Sequence, residues 1–348
     1  MGSTPSGISG SRAAAVLGMS PWQTPFQVWQ DIMEKMEPGF NTAKGYDDYT
    51  PFEGNASTRW GLAFEDSIIR LAERNSLMKP GHGYGAIIDR EREFKIAGRE
   101  YITCHIDGKY EHAEALHEGK TTTDRAFAAG WGEPGTEKIP LEYQVQVQHQ
   151  MLCTGAKEAI VSVLVFPRQP QEFEEMGLLV NYRDDGNIYL DNDDGIDIVK
   201  GNTGDWADVL YEMGFFHQYI VPSNPELHEI MLEEYRKWWD EHILKATPPR
   251  PSNYDDIRAM FTAPTGTIVV DDDTSRWFHE YKDIGREIGS GGNLAKRQNQ
   301  LKTLILERAA QLESTLDDES TDKWVFRDER GKKLGSYGKN KNGTMTFR

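Results

Sequence analysis

Residues 104–120 read CHIDGKYEHAEALHEGK. Two acids stand out, Asp107 and Glu118, with Lys120 two residues after the second. Side chains alternate along a strand, so Glu118 and Lys120 would share one face of an extended segment. In that case the stretch is two neighbouring strands presenting two carboxylates and an ammonium. The other reading is a charged surface hairpin. Asp, Glu, Lys and Arg make up 27% of the chain, so an acid–acid–lysine spacing also arises by chance. Alone, the stretch leaves both readings open.

The bulk numbers narrow the class. A chain of 348 residues holds one large or two modest domains. Its 14 Phe, 14 Tyr and 9 Trp are too many for a disordered protein. Cys104 and Cys153 are the only cysteines, which excludes a disulfide scaffold and a four-cysteine zinc site and fits a reducing cytosol. No apolar run reaches the roughly 18–20 residues that span a bilayer. The start, MGSTPSGISGSRAAAVLGM, lacks the charged head and apolar core of a signal peptide. A soluble cytoplasmic protein with no membrane association is expected. The net charge of −17 argues against coating nucleic acid through bulk charge. An enzyme acting on nucleic acid stays open, because it needs only a local basic path and its metal site needs acids.

Periodicity lays out the elements. SRAAAVLG (11–18) reads as a short helix ending at Gly18. PFQVWQDIMEK (25–35) opens on a proline and spaces Phe26, Trp29 and Ile32 as one helix face. Residues 38–58 read as a loop, and 60–75 as an amphipathic helix. Short strands follow at 85–88, 92–97 and 100–107. A weaker strand is expected at 113–120, then a Gly-rich loop over 121–139. PLEYQVQVQHQMLCT (140–154) reads as a helix ended by Gly155, and AIVSVLVF (159–166) as a central strand. A further strand is expected at 176–182. The acidic run 183–198 lacks the oxygen spacing of a calcium loop and reads as a solvated turn. Residues 225–245 form a long helix, and TPPRP (247–251) closes a first domain, 1–250.

The second domain, 251–348, differs. Trp277, Tyr281, Ile284 and Ile288 make one helical stripe. GSGGN (289–293) breaks it, and Leu294, Leu301, Ile305 and Leu312 resume it, with Leu304 and Leu316 alongside. The pattern predicts a helical hairpin or coiled coil. The tail 322–348 reads as strands around Gly/Asn turns and holds eight Lys/Arg against three Asp/Glu. In an acidic chain it is either a phosphate or acidic-partner contact or a solvated edge that resists aggregation.

Four segments occur in order: GISGSRAAAVLGMSPW (7–22), WGLAFEDSIIRLA (60–72), HIDGKY and HEGKTT within 105–122, and YQVQVQHQM (143–151). Together they resemble the YqaJ-like nucleases of phage recombination systems, the lambda exonuclease type, within the PD-(D/E)XK superfamily. The resemblance covers roughly residues 6–250. It implies an α/β fold with a PD-(D/E)XK nuclease core, a mixed central β-sheet flanked by helices. The C-terminal helical hairpin and β-rich tail lie outside it.

By position, the resemblance makes Asp107, Glu118 and the carbonyl of Gly119 ligands of Mg²⁺, with Mn²⁺ as a substitute. Lys120 would activate or position the attacking water. Glu65 would complete the water and second-metal shell, or else pair with Arg59 or Arg70 on a helix surface. Gln146 would contact the site and the scissile phosphate. Gln150 shares its helix face, and Gln148 is expected at the surface. Ser11 would bind a terminal 5′ phosphate, or else cap its helix. The chain departs from the pattern at His105, where a phosphate-touching serine is expected, and at His149, which replaces a tyrosine. It also departs at Ala97, where an acid is expected, and upstream of Ser11, where a basic residue is missing and Arg12 is the substitute. His105, His112 and His117 raise zinc as a rival ion, though carboxylate–lysine spacing suits Mg²⁺ better.

The expected activity is a Mg²⁺-dependent 5′→3′ exonuclease on double-stranded DNA ends. It would leave 3′ single strands for a single-strand annealing protein, and it would work as a homotrimeric ring in a bacterial host, encoded by a phage or mobile element. The rivals are a structure-selective or single-strand nuclease with the same site, and a non-catalytic DNA-end-binding protein.

Overall fold

The computed structural model describes residues 7–46, 49–51, 54–78, 84–167, 178–180, 187–190, 198–261, 264–287, 293–312, 314–315, 322–342 and 344–347. The chain forms two compact units, Met1–Ser20 with Phe52–Arg236, and Pro21–Pro51 with Lys237–Arg348. The division does not follow chain order. Two hydrogen bonds tie the early segment to the C-terminal third: Trp29 Nε1 donates to the His242 carbonyl at 2.9 Å, and Thr24 Oγ1 to Asp256 Oδ1 at 2.8 Å.

The first unit is built on a mixed five-stranded sheet. Its strands lie in the order Ile87–Ile88, Gly108–Tyr110, Ala115–Thr123, Glu158–Phe166, Phe216–Pro222. Ala115–Thr123 and Glu158–Phe166 pair in parallel, and the other neighbours are antiparallel. The apolar run of Glu158–Phe166 is explained by burial on both faces. Ile160, Leu164 and Phe166 pack with Trp60, Phe64, Ile68 and Leu71 of the helix Ala56–Met78 and with Leu210 of the helix Thr203–Glu212. Ala159, Val161, Val163 and Val165 pack with Val147 and Met151 of the helix Leu141–Thr154. The mixed sheet between helical layers is the expected α/β class.

Several boundaries differ from expectation. The strand expected to end near Lys120 runs on to Thr123, because every residue from Ala115 to Thr123 has a parallel partner. The expected loop 121–139 contains the helix Asp124–Gly130, capped by Thr123 Oγ1 accepting from the Ala126 N–H at 3.3 Å. The loop 38–58 holds a short helix, Phe40–Ala43. Strands Leu178–Val180, Asn187–Leu190 and Ile198–Asn202 form a small antiparallel sheet, so part of the acidic run is strand. Residues 183–186 and 191–197 of that run, like the break at 289–292, Ile288 and Leu316, lie outside the described residues.

The second unit is a five-stranded sheet rather than a bare hairpin with a tail. Gly266–Val269 lies parallel to Lys323–Arg327, with Lys333–Lys339 and Met345–Phe347 following antiparallel. The helices Asp272–Glu287 and Asn293–Ala309 fall between the two parallel strands in sequence. Their apolar stripe packs on the sheet, with Phe278, Ile305 and Leu306 among Trp324, Phe326 and Phe347. A four-residue strand such as Gly266–Val269 carries too short a pattern to be read before its partner is known.

One contact fixes the N-terminal helix Gly10–Val16. Ile8 forms a parallel bridge with Ile102, its N–H donating to the Tyr101 carbonyl at 2.7 Å. A Cβ on Gly7 would lie 2.3 Å from the Tyr101 carbonyl oxygen, which is backbone and cannot yield. Gly7→Ala is therefore expected to lower unfolding stability by about 1–3 kcal/mol, read from the midpoint of chemical denaturation. An unchanged midpoint would show that the bridge gives way at no cost.

Candidate active site

Asp107 sits at the bend between the strands Arg99–Ile106 and Gly108–Tyr110. Glu118 and Lys120 lie on the adjacent strand Ala115–Thr123. The two strands are in register through Gly108 opposite His117. Asp107 is joined to the second strand directly, its Oδ2 accepting the Gly119 N–H at 2.7 Å. Glu118 is opposite Val161 in the parallel ladder, on the face covered by the helix Leu141–Thr154.

That helix holds the Glu118 carboxylate. Gln146 Nε2 donates to Glu118 Oε1 at 2.6 Å, and Gln150 Nε2 to Glu118 Oε2 at 2.6 Å. Lys120 Nζ donates to Glu118 Oε1 as well and lies 5.2 Å from the centre of the Tyr143 ring. Glu118 is only 1% exposed, so these donors replace the water that its charge has lost. Gln150 also reaches the His105 carbonyl at 3.2 Å. Sequence reasoning put Gln150 on the face of Gln146 but gave it no role. The i, i+4 spacing from Gln146 was the signal that places both amides on one carboxylate.

Gln148 is a correction. It is buried, not at the surface, and it faces the other way along the helix. Its Nε2 donates to the Pro222 carbonyl at 2.8 Å, and its Oε1 accepts from the Asn224 N–H at 3.0 Å and meets His228 Nε2 at 2.8 Å. Two residues turn a helix by about 200°, which takes Gln148 away from Glu118. His149 is also internal, its ring nitrogens 2.8 Å from the Thr103 carbonyl and 3.1 Å from the Tyr235 hydroxyl.

Electrostatics are those of crowded acids. Burial pushes the Asp107 carboxyl well above the usual carboxylate range, and Glu118 adds to the shift. The Glu65 carboxyl is raised too, by burial first and then by Glu91, Asp66 and Glu118. For Lys120, burial works against the charge, but Glu118 and Asp107 outweigh it and hold the ammonium above its ordinary range. Glu65 is half-buried on the helix Ala56–Met78, within the field of Glu118 and Lys120.

Hard oxygen donors held in such repulsion fit a divalent cation, which would relieve it. Among the described residues, no group of three or more His, Cys, Asp or Glu converges as a cage. An ion here would take Asp107 and Glu118 and complete its shell with carbonyl oxygen and water, as Mg²⁺ prefers.

The remaining expected residues divide. Gly10 lies over the glutamines, with the direction of its missing Cβ 3.6 Å from both Gln146 Cγ and Gln150 Cγ. Ser11 next to it is exposed, its Oγ 3.2 Å from Ser9 Oγ. Arg12 instead turns inward, 4% exposed, with Nη1 on the Gly7 carbonyl at 3.1 Å. His105 is exposed, alternating with buried Cys104 and Ile106, and its carbonyl rather than its imidazole meets Gln150.

Residues 4–157 match the family model of the YqaJ-like viral recombinase domain. YqaJ of Bacillus subtilis (strain 168), an uncharacterized protein, is 27% identical over 161 residues, which are 46% of this chain and 43% of that protein. The match thus spans less than half of that relative's length. Among solved structures, a phage-related exonuclease from Haemophilus somnus 129PT is 16% identical, with 69% of this chain and 96% of that one covered and a TM-score of 0.39. An alkaline exonuclease from Laribacter hongkongensis is 14% identical, with 69% and 89% covered and a TM-score of 0.41. Every residue gathered around Glu118, from Gly10 to Gln150, falls inside the matched span. Residues 4–157 of this chain are a YqaJ-like viral recombinase domain.

Proposed function

We propose that this domain is a Mg²⁺-dependent deoxyribonuclease, with Mn²⁺ as a substitute ion. It digests double-stranded DNA from its 5′ ends and leaves 3′ single strands for a single-strand annealing protein. The observation that carries the hydrolytic reading is the meeting of Asp107, Glu118 and Lys120 at the ends of two adjacent strands, with glutamine amides fixing Glu118. Polarity, the annealing partner and a homotrimeric ring follow from the family resemblance.

Asp107, Glu118 and the Gly119 carbonyl would hold the ion. When bound, it would polarise a phosphoryl oxygen and acidify an attacking water. The chain supplies the rest. Lys120 places a fixed positive charge where negative charge develops, and Glu118 keeps that charge from swinging away. Gln146 and Gln150 stop Glu118 from rotating, so its orientation needs no reorganisation during the reaction. Glu65 offers a further carboxylate to orient the water. Ser11, beside the glutamines, is the candidate contact for a terminal phosphate, with Arg12 bracing its segment from inside. The exposed Lys332 and Lys333 of the second unit offer positive charge to a backbone or an acidic partner.

Linear duplex labelled at the 5′ or the 3′ end tests the reading. In Mg²⁺ the 5′ label should leave first, and chelation should stop release. Lys120→Ala should slow release by about 10²–10³-fold with end binding retained. Early loss of the 3′ label would overturn the polarity, and full activity of the variant would overturn the role of Lys120. Gln150→Leu should slow hydrolysis by about 10–100-fold, whereas Gln148→Ala should lower stability with the rate per folded molecule unchanged. Light scattering should give a mass three times that of the chain; a monomer would remove the ring.

A further inference from the structure

The strand that carries Glu118 has a second face. His117 and Gly119 point to the side of the helix Ala56–Met78, where Ile68 Cγ2 lies 3.3 Å from the position of a Cβ on Gly119. Around that same point stand Asp107 Oδ2 at 3.5 Å and His117 Nε2 at 3.7 Å. Because residue 119 is a glycine, no side chain separates the carboxylate from the imidazole.

His117 is 0% exposed, and neither ring nitrogen has a hydrogen-bond partner among the described residues. His105 and His112 are exposed, where water serves their rings. A sequestered imidazole with both nitrogens unanswered gives up its hydration for nothing. Its packing is also specific, since its ring stands edge-on to Tyr110 at 6.1 Å, and its backbone is fixed between Gly108 and Ile160.

We propose that His117 is a positioning residue for Asp107: its Nε2–H braces the Asp107 carboxylate from the buried side, leaving the outer lone pairs to the cation. The inference rests on the metal-dependent reading above. It makes the two ligand strands alike in design. Glu118 is steadied on one face by glutamine amides, and Asp107 on the other by an imidazole. Ligating carboxylates held in this way lose affinity for the ion when the brace is removed.

The test uses the full chain and Mg²⁺ itself. Calorimetric Mg²⁺ titration of His117→Leu should show about 10–100-fold weaker binding than the unsubstituted protein. His117→Gln, which returns an N–H near the place of Nε2, should recover most of the loss. In the unsubstituted protein labelled with ¹⁵N-histidine, Mg²⁺ should shift the His117 ring nitrogens, and Asp107→Asn should abolish the shift. A ring spectrum indifferent to Mg²⁺ overturns the proposal even if the leucine variant does not fold. So does a folded leucine variant with unchanged affinity, or a glutamine variant no better than leucine. Mg²⁺ binding that is absent, or insensitive to Asp107→Asn, overturns the metal-dependent reading as well as this one.

Discussion

A buried carboxylate governs this domain. Moving Glu118 out of water costs several kcal/mol unless its oxygens are matched by donors. The chain meets that demand from two elements, Lys120 on the same strand and Gln146 with Gln150 on the helix Leu141–Thr154. The rotation of that helix, the register of the strand and the face that Lys120 takes are therefore linked. Moving any one of them would leave a charge unpaired in a low-dielectric interior.

The sheet makes the arrangement rigid. Ala115–Thr123 is weak by propensity, with Gly119 and three charged or polar residues beside it, yet it pairs along its whole length with the apolar strand Glu158–Phe166. Tertiary pairing overrides local preference here, because a central strand with both faces covered recruits any neighbour that satisfies its ladder. Asp107 is then held by the N–H of Gly119 instead of by a loop. Sites supported on strands and helices keep the sub-ångström geometry that phosphoryl chemistry needs.

The second unit shows where pattern reading stops short. The stripe through Trp277, Tyr281 and Ile305 was legible as helical, and both helices formed. What those residues bury was not legible. Their partners are strand residues such as Trp324, Phe326 and Phe347, some twenty to seventy positions away along the chain. Periodicity gives the face of a helix but not the surface that covers it.

The sequence alone determined the helices with strong periodicity, the central strand, the mixed α/β class and the pairing of Glu118 with Lys120 on one strand face. Each of these depends on spacing within a few residues, which the chain carries locally. Only the tertiary structure decided the role of Gln150, the burial of Gln148, the inward turn of Arg12 and the place of His117. In each case the deciding partner lies on another element: Glu118 for Gln150, Pro222 for Gln148, Gly7 for Arg12 and Asp107 beside Gly119 for His117. A polar side chain is fixed by what it must satisfy once water is gone, and that is set by which elements meet, not by the letters next to it.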